Sequence, residues 1–134
     1  MPIVYALEPE LSAEEFRAVL IASTLAERRP ADDLPRLHTM LRQADLIVTA
    51  RDGRRLVGIS RAITDFSYCC YLSDLAVDGA YQRQGIGKRL IAETHERAGE
   101  LTTLILVAAP AAEAYYPRIG MQQRPSCWIL SKKR

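Results

Sequence analysis

Leu75-Ala76-Val77-Asp78-Gly79-Ala80-Tyr81-Gln82-Arg83-Gln84-Gly85-Ile86-Gly87-Lys88-Arg89-Leu90 is the stretch on which the reading of the chain turns. A strand ends near Val77, a turn comes next at Asp78-Gly79, and a glycine-bearing loop runs straight into a helix. That arrangement makes an anion cradle. The first amides of a helix have no internal acceptor, and the helix dipole is positive at that end. Gly85 and Gly87 remove side chains that would hold a diphosphate away from the backbone. Arg83 and Lys88 add positive charge nearby.

Two common phosphate-binding patterns fail at defined positions. A dinucleotide fingerprint needs G-x-G-x-x-G, but Leu90 stands where the third small residue belongs. A P-loop needs G-x-x-x-x-G-K-[ST]. Gly87-Lys88 fits its end, but Gln82 replaces the first glycine and Arg89 replaces the hydroxyl residue.

Working outward, the chain reads as one domain from 1 to 134, with no repeat, linker or low-complexity tract. Residues 2–6 form a short apolar strand. Ser12-Ala13-Glu14-Glu15 is a capping box opening a helix over about 12–27. Asp32 or Asp33 caps a second helix with Pro35 in its first turn and Leu34, Leu37 and Leu41 on one face. Leu46–Ala50 is a β-branched strand. Asp52-Gly53 marks a hairpin, and the return strand runs about 55–64. Tyr68–Val77 is the next strand, and Gly85–Ala98 is a helix with Ile86, Leu90, Ile91 and Ala98 inward. Thr102–Ala108 is nearly all apolar, the pattern of a sheet interior. Pro110 opens a short helix through Tyr116, and Ser126–Ser131 is a last strand carrying Trp128 as a core or dimer contact. The order is β-α-α-β-β-β-α-β-α-β: a mixed α/β domain with a central sheet.

Composition narrows the classes. The 134 residues are 49% hydrophobic and 25% charged, ordinary globular values that exclude a disordered tail, a collagen-like fibre or a coiled-coil rod. A net charge of +2 gives no electrostatic reason for nucleic acid or an anionic membrane as main partner. No apolar run approaches the ~20 residues of a membrane helix. Met1-Pro2-Ile3-Val4-Tyr5 lacks the basic start and apolar core of a signal peptide, and three cysteines do not make a disulfide framework. A cytoplasmic location is therefore expected. With two histidines and scattered cysteines no metal-ligand spacing arises, so no metal is expected. His38 and His95 are read as surface residues. Arg28, Arg29, Arg36 and Arg42 are matched by Glu27, Asp32, Asp33 and Asp45, which reads as a mixed solvated surface.

Gln82-x-x-Gly85-x-Gly87 after Leu75-Ala76-Val77 resembles the acetyl-coenzyme A binding motif of the GNAT family of N-acetyltransferases. Ala112-Glu113-Ala114-Tyr115-Tyr116-Pro117-Arg118-Ile119-Gly120-Met121 is similar to the family's later segment, with Met121 where phenylalanine is usual. The element order agrees over nearly the whole chain. The resemblance implies a mixed, mostly antiparallel central sheet with helices on both faces. It implies that acetyl-CoA is the co-substrate and that backbone at Leu75, Ala76 and Val77 takes the pantetheine arm like an added strand. It implies that Gln82, Arg83, Gln84, Gly85, Ile86, Gly87 and Lys88 hold the diphosphate. Tyr116 matches the tyrosine that protonates the leaving thiolate, whereas its neighbour Tyr115 is read as packing. For the base three options stand: Asp74, a water, or no group at all. The acceptor is a primary amine on a small molecule or peptide, and a homodimer is consistent with the family. The competing reading is a non-catalytic module that binds or senses acyl-CoA.

Overall fold

The computed structural model describes residues 2–132. A five-stranded sheet runs in sequence order, β1 (Ile3–Leu7), β2 (Leu46–Asp52), β3 (Arg55–Thr64), β4 (Cys69–Val77) and β5 (Thr103–Ile105). The first four strands pair antiparallel, and β5 joins β4 in parallel. The mixed, mostly antiparallel sheet with helices on both faces is as the family resemblance implies.

Local chemistry sets the helices. Ser12 accepts from the Glu15 amide and starts α1 (Ala13–Ala22). The helix stops short of the expected residue 27 because Thr24 turns left-handed at φ 69°, leaving Leu25–Arg28 as a separate 3-10 turn. Asp33, of the two candidate caps, accepts from the Arg36 amide and opens α2 (Leu34–Arg42). α3 (Ile86–Ala98) begins after Gly85 and ends at Gly99.

The apolar faces sort the helices onto the two sides of the sheet. Phe16, Val19 and Leu20 of α1 and Leu37 and Leu41 of α2 pack with Ile47, Ile59 and Ala76 on one side. Ile86 and Leu90 of α3 pack with Val48, Ala50 and Val57 on the other. Thr94, which an apolar reading of α3 passes over, is fully buried; its hydroxyl pairs with Ser60 of β3 at 2.7 Å and donates to the Leu90 carbonyl.

Three expectations are corrected. β5 covers Thr103–Ile105 rather than Thr102–Ala108, and it is an edge strand: Ile105 is exposed, as is Val107 just beyond it. The apolar run signals a strand but does not say what covers it. The stretch Ser126–Ser131 forms no strand, and Trp128 is exposed rather than in the core. The helix expected from Pro110 to Tyr116 is instead a 3-10 turn at Pro110–Ala112 and then α4 (Tyr115–Arg118). Proline at position 117 lacks the amide a longer helix would need.

Candidate functional site

The site is built where β4 parts from β5. β5 pairs with β4 only from Cys69 to Tyr71. On that side the β4 backbone from Leu72 to Val77 therefore has no strand beside it among the described residues. Six residues at ~3.3 Å each give roughly 20 Å of free edge whose amides and carbonyls can take an extended ligand. Leu75 and Val77 lean toward the α3 side of the sheet, and Ala76 is buried on the other. The register of β3 and β4 slips just before this edge. Arg61 lies opposite Asp74 and Ala62 opposite Leu72, so Ser73 is an extra residue, a β-bulge that re-aims the strand beyond it.

Past the edge comes the cradle. Gln82 folds back, its side-chain amide donating to the Val77 carbonyl at 3.1 Å, and closes the turn. Arg83 and Gly85 both have positive φ, 65° and 83°. A non-glycine residue held there costs roughly 1–3 kcal/mol, and such geometry concentrates at ligand clamps. Nothing lies within 4 Å of a side chain added at Gly85, so the glycine is required by conformation alone. Replacing Gly85 by alanine is expected to cost about 1–2 kcal/mol of stability in urea unfolding. The resemblance makes coenzyme A the ligand to test: because the loop sets the aim of the helix-start amides, any affinity for it measured by isothermal titration is expected to drop about tenfold.

Gly87 departs from the sequence reading. It is buried, and an added Cβ would stand 3.0 Å from the Tyr115 hydroxyl. Burial pushes the Tyr115 phenol above its ordinary range, with the Lys88 backbone beside it opposing that shift. Tyr115 is therefore part of the cradle rather than packing alone. Its hydroxyl stands beside the helix-start amides that an anion would use. The signal that could have found Tyr115 is its own motif, which places an aromatic immediately before Tyr116.

Tyr116 lies edge-to-face with Tyr115, the ring centroids 5.3 Å apart. It lines a cleft of about 890 Å³ bounded by Ile91 and His95 of α3, by residues 103–108, and by the segment from Met121 to Cys127. Burial, with a smaller contribution from Tyr115, raises the Tyr116 phenol above its usual range. Its hydroxyl makes no hydrogen bond among the described residues, so the donor is free for a ligand. Leu75, Ala76 and Val77 are not among the walls of this cleft; Tyr115 is what links the Tyr116 side to the cradle. His95 is half-buried rather than at the surface, with Nε2 2.7 Å from the Thr102 carbonyl, a distance that fixes Nε2 as the protonated nitrogen.

Asp74 is not among the walls of the Tyr116 cleft. It is fully buried, and its two carboxylate oxygens accept from Arg29 Nε and Arg61 Nε. Arg29, placed by the sequence on a solvated surface, reaches across 45 residues to make this contact. Among the described residues no group of three or more His, Cys, Asp or Glu is arranged to hold a metal ion. Among the described residues no helix is long and apolar enough to cross a membrane.

Comparison with known proteins agrees with this geometry. The family described as "Acetyltransferase (GNAT) domain" matches residues 10–125. A curated protein described as "Uncharacterized N-acetyltransferase ycf52", of Gracilaria tenuistipitata var. liui, is 29% identical over 84 residues, 61% of this chain and 46% of that protein. The chain spans a third to a half of the length of the curated relatives it matches. A GNAT-family acetyltransferase of Streptococcus pneumoniae TIGR4 superposes with a TM-score of 0.75 at 21% identity, over 98% of this chain and 100% of that one. An aminoglycoside N-acetyltransferase solved in complex with CoA superposes with a TM-score of 0.75 at 17% identity, over 99% and 95%.

Proposed function

The chain belongs to the GNAT acetyltransferase family, and from that premise we propose that it transfers an acetyl group from acetyl-CoA to a primary amine, with Tyr116 as general acid. The observation that carries the proposal is the free β4 edge running into a glycine-started helix, with a tyrosine hydroxyl that has no protein partner among the described residues on the later segment.

The residues present fit acetyl-CoA. The β4 edge offers main-chain groups to the pantetheine amides. The loop Gln82–Gly85 and the amides of Ile86, Gly87 and Lys88 face the diphosphate, with Arg83 and Lys88 exposed beside them. When bound, acetyl-CoA supplies the activated acyl group.

The amine nitrogen forms the new C–N bond, the C–S bond breaks, and the sulfur takes the proton of the Tyr116 hydroxyl. The nitrogen loses its own proton to water, and the phenolate is reprotonated from solvent. In this reading a main-chain amide of the free edge near Ala76 takes the developing oxyanion. Holding amine and thioester together supplies much of the rate, so a strong base is not required.

The test is release of coenzyme A thiol from acetyl-CoA with a panel of spermidine, sisomicin, free lysine and an alanine-leading peptide. Isothermal titration of coenzyme A is run in parallel. Micromolar binding with thiol release on at least one amine is the expected result. Binding with no release on any of them would replace the enzyme by an acyl-CoA binding module. A homodimer is a further part of the proposal. It is favoured by the exposed apolar residues of the β5 edge and of the segment Trp128–Leu130, and sedimentation velocity tests it.

A further inference from the structure

Asp74 is in the position where a carboxylate base would be sought, beside the coenzyme-contacting backbone, yet every polar contact it makes is structural. Its oxygens take Arg29 Nε and Arg61 Nε. The rest of both guanidinium groups goes to the bulge and its surroundings. Arg29 Nη2 donates to the Ser73 carbonyl at 2.8 Å and Arg29 Nη1 to the Arg28 carbonyl at 2.8 Å. Arg61 Nη2 donates to the Ser73 hydroxyl at 3.1 Å, and Arg61 Nη1 to the Met40 carbonyl of α2 at 3.4 Å. One buried carboxylate thus joins four pieces of chain: the segment after α1, the last turns of α2, β3, and the bulge of β4. A bulge residue has no ladder partner, and here its carbonyl and hydroxyl are both taken by the groups that Asp74 holds.

We propose that Asp74 is a positioning residue rather than a proton acceptor. Through Arg29 and Arg61 it locks the Ser73 bulge and the Leu25–Arg29 segment into one block on the face of the sheet opposite α3. That face is the one left for the acceptor if the coenzyme takes the cradle at the start of α3, so the block sets the acceptor side against the free Leu75–Val77 edge. A base needs an oxygen open to the incoming amine; both oxygens here point at guanidinium groups, and the side chain is sealed from solvent. The part of the inference that concerns the acceptor rests on the acetyl-transfer reading; the tether itself does not.

Arg29→Ala is the variant of choice. Arg29 is the more exposed partner, 22% against 9% for Arg61, and Asp74 keeps Arg61 when it is lost. Hydrogen–deuterium exchange of the whole protein is read first, with no amine present. Amides in peptides covering 24–31 and 72–75 are expected to exchange at least tenfold faster than in the parent, with α3 unchanged. Arg29→Lys is expected to restore part of the protection. In the amine assay the acceptor KM is expected to rise roughly ten- to hundredfold, with kcat and the coenzyme A dissociation constant within about twofold. Asp74→Asn, if it folds, is expected to show the same KM pattern and to keep the shape of the pH–rate profile. Unchanged exchange in Arg29→Ala would overturn the tether. Loss of the ascending limb of the pH profile in Asp74→Asn, with KM unmoved, would return Asp74 to the role of base. If no amine is turned over by the parent, the acetyl-transfer reading falls, and the exchange experiment still decides the tether.

Discussion

Replacing Tyr116 by phenylalanine is expected to lower kcat about a hundredfold or more while leaving the coenzyme A dissociation constant within twofold. The substitution removes one oxygen and keeps the ring, so its contact with Tyr115 and its place in the wall of the cleft are preserved. In the proposed mechanism, what is lost is the proton for the departing sulfur. A positioned acid typically contributes 10²- to 10⁴-fold. A coenzyme thiolate, with a conjugate acid near a thiol's ~8.5, is a poor enough leaving group to need it. Burial raises the Tyr116 phenol, so the proton stays on the oxygen through neutral and mildly alkaline pH. The activity should therefore show no falling limb from this residue until the pH passes the ordinary phenol value of 10.0. Single-turnover thiol release against titration of coenzyme A binding separates the two quantities. A kcat equal to that of the parent would take Tyr116 out of the chemistry.

The largest effect on stability is expected from Asp74→Ala. Removing this carboxylate leaves Arg29 and Arg61 beside each other with no counter-charge, one of them with its side chain only 9% exposed. Breaking a buried ion pair by deleting one partner costs about 3–5 kcal/mol. A large part of a typical domain's stability of ~5–15 kcal/mol would go. Arg29→Ala should cost far less, since the remaining Arg61–Asp74 pair is neutral and still in place. Urea unfolding of the two variants at one pH gives the comparison directly. Equal losses would mean that the charge balance is not what holds this part of the sheet.

Local signals carried the sequence reading as far as local physics reaches. Ser12, Asp33, Asp52-Gly53 and Gly99 act through neighbours a few residues away, and the elements they bound form where their spacing places them. The cradle was legible for the same reason, since loop and helix start are contiguous. Contacts between distant residues were not. The partners of Asp74 lie 13 and 45 residues away, and four arginines matched by four acids read as solvated although Arg29 is drawn inward. Tyr115 shows the same limit on a smaller scale. Helical geometry says that it points away from Tyr116, but not that it reaches Gly87. The apolar runs at 102–108 and 126–131 have strand composition, but a strand also needs a neighbour. β5 found one along three residues, and the later run found none among the described residues.

That later run holds the chain's single tryptophan, Trp128, at 91% exposure. Its indole is thus an isolated fluorophore whose surroundings are water. Emission from the free protein should peak as for indole in solvent and be quenched readily by iodide or acrylamide. The signal carries no background from the core, so any event that covers the C-terminal segment will appear alone, as a blue shift and a loss of quenching. Self-association would make that shift depend on protein concentration. The protein needs no added label to be tracked in a titration.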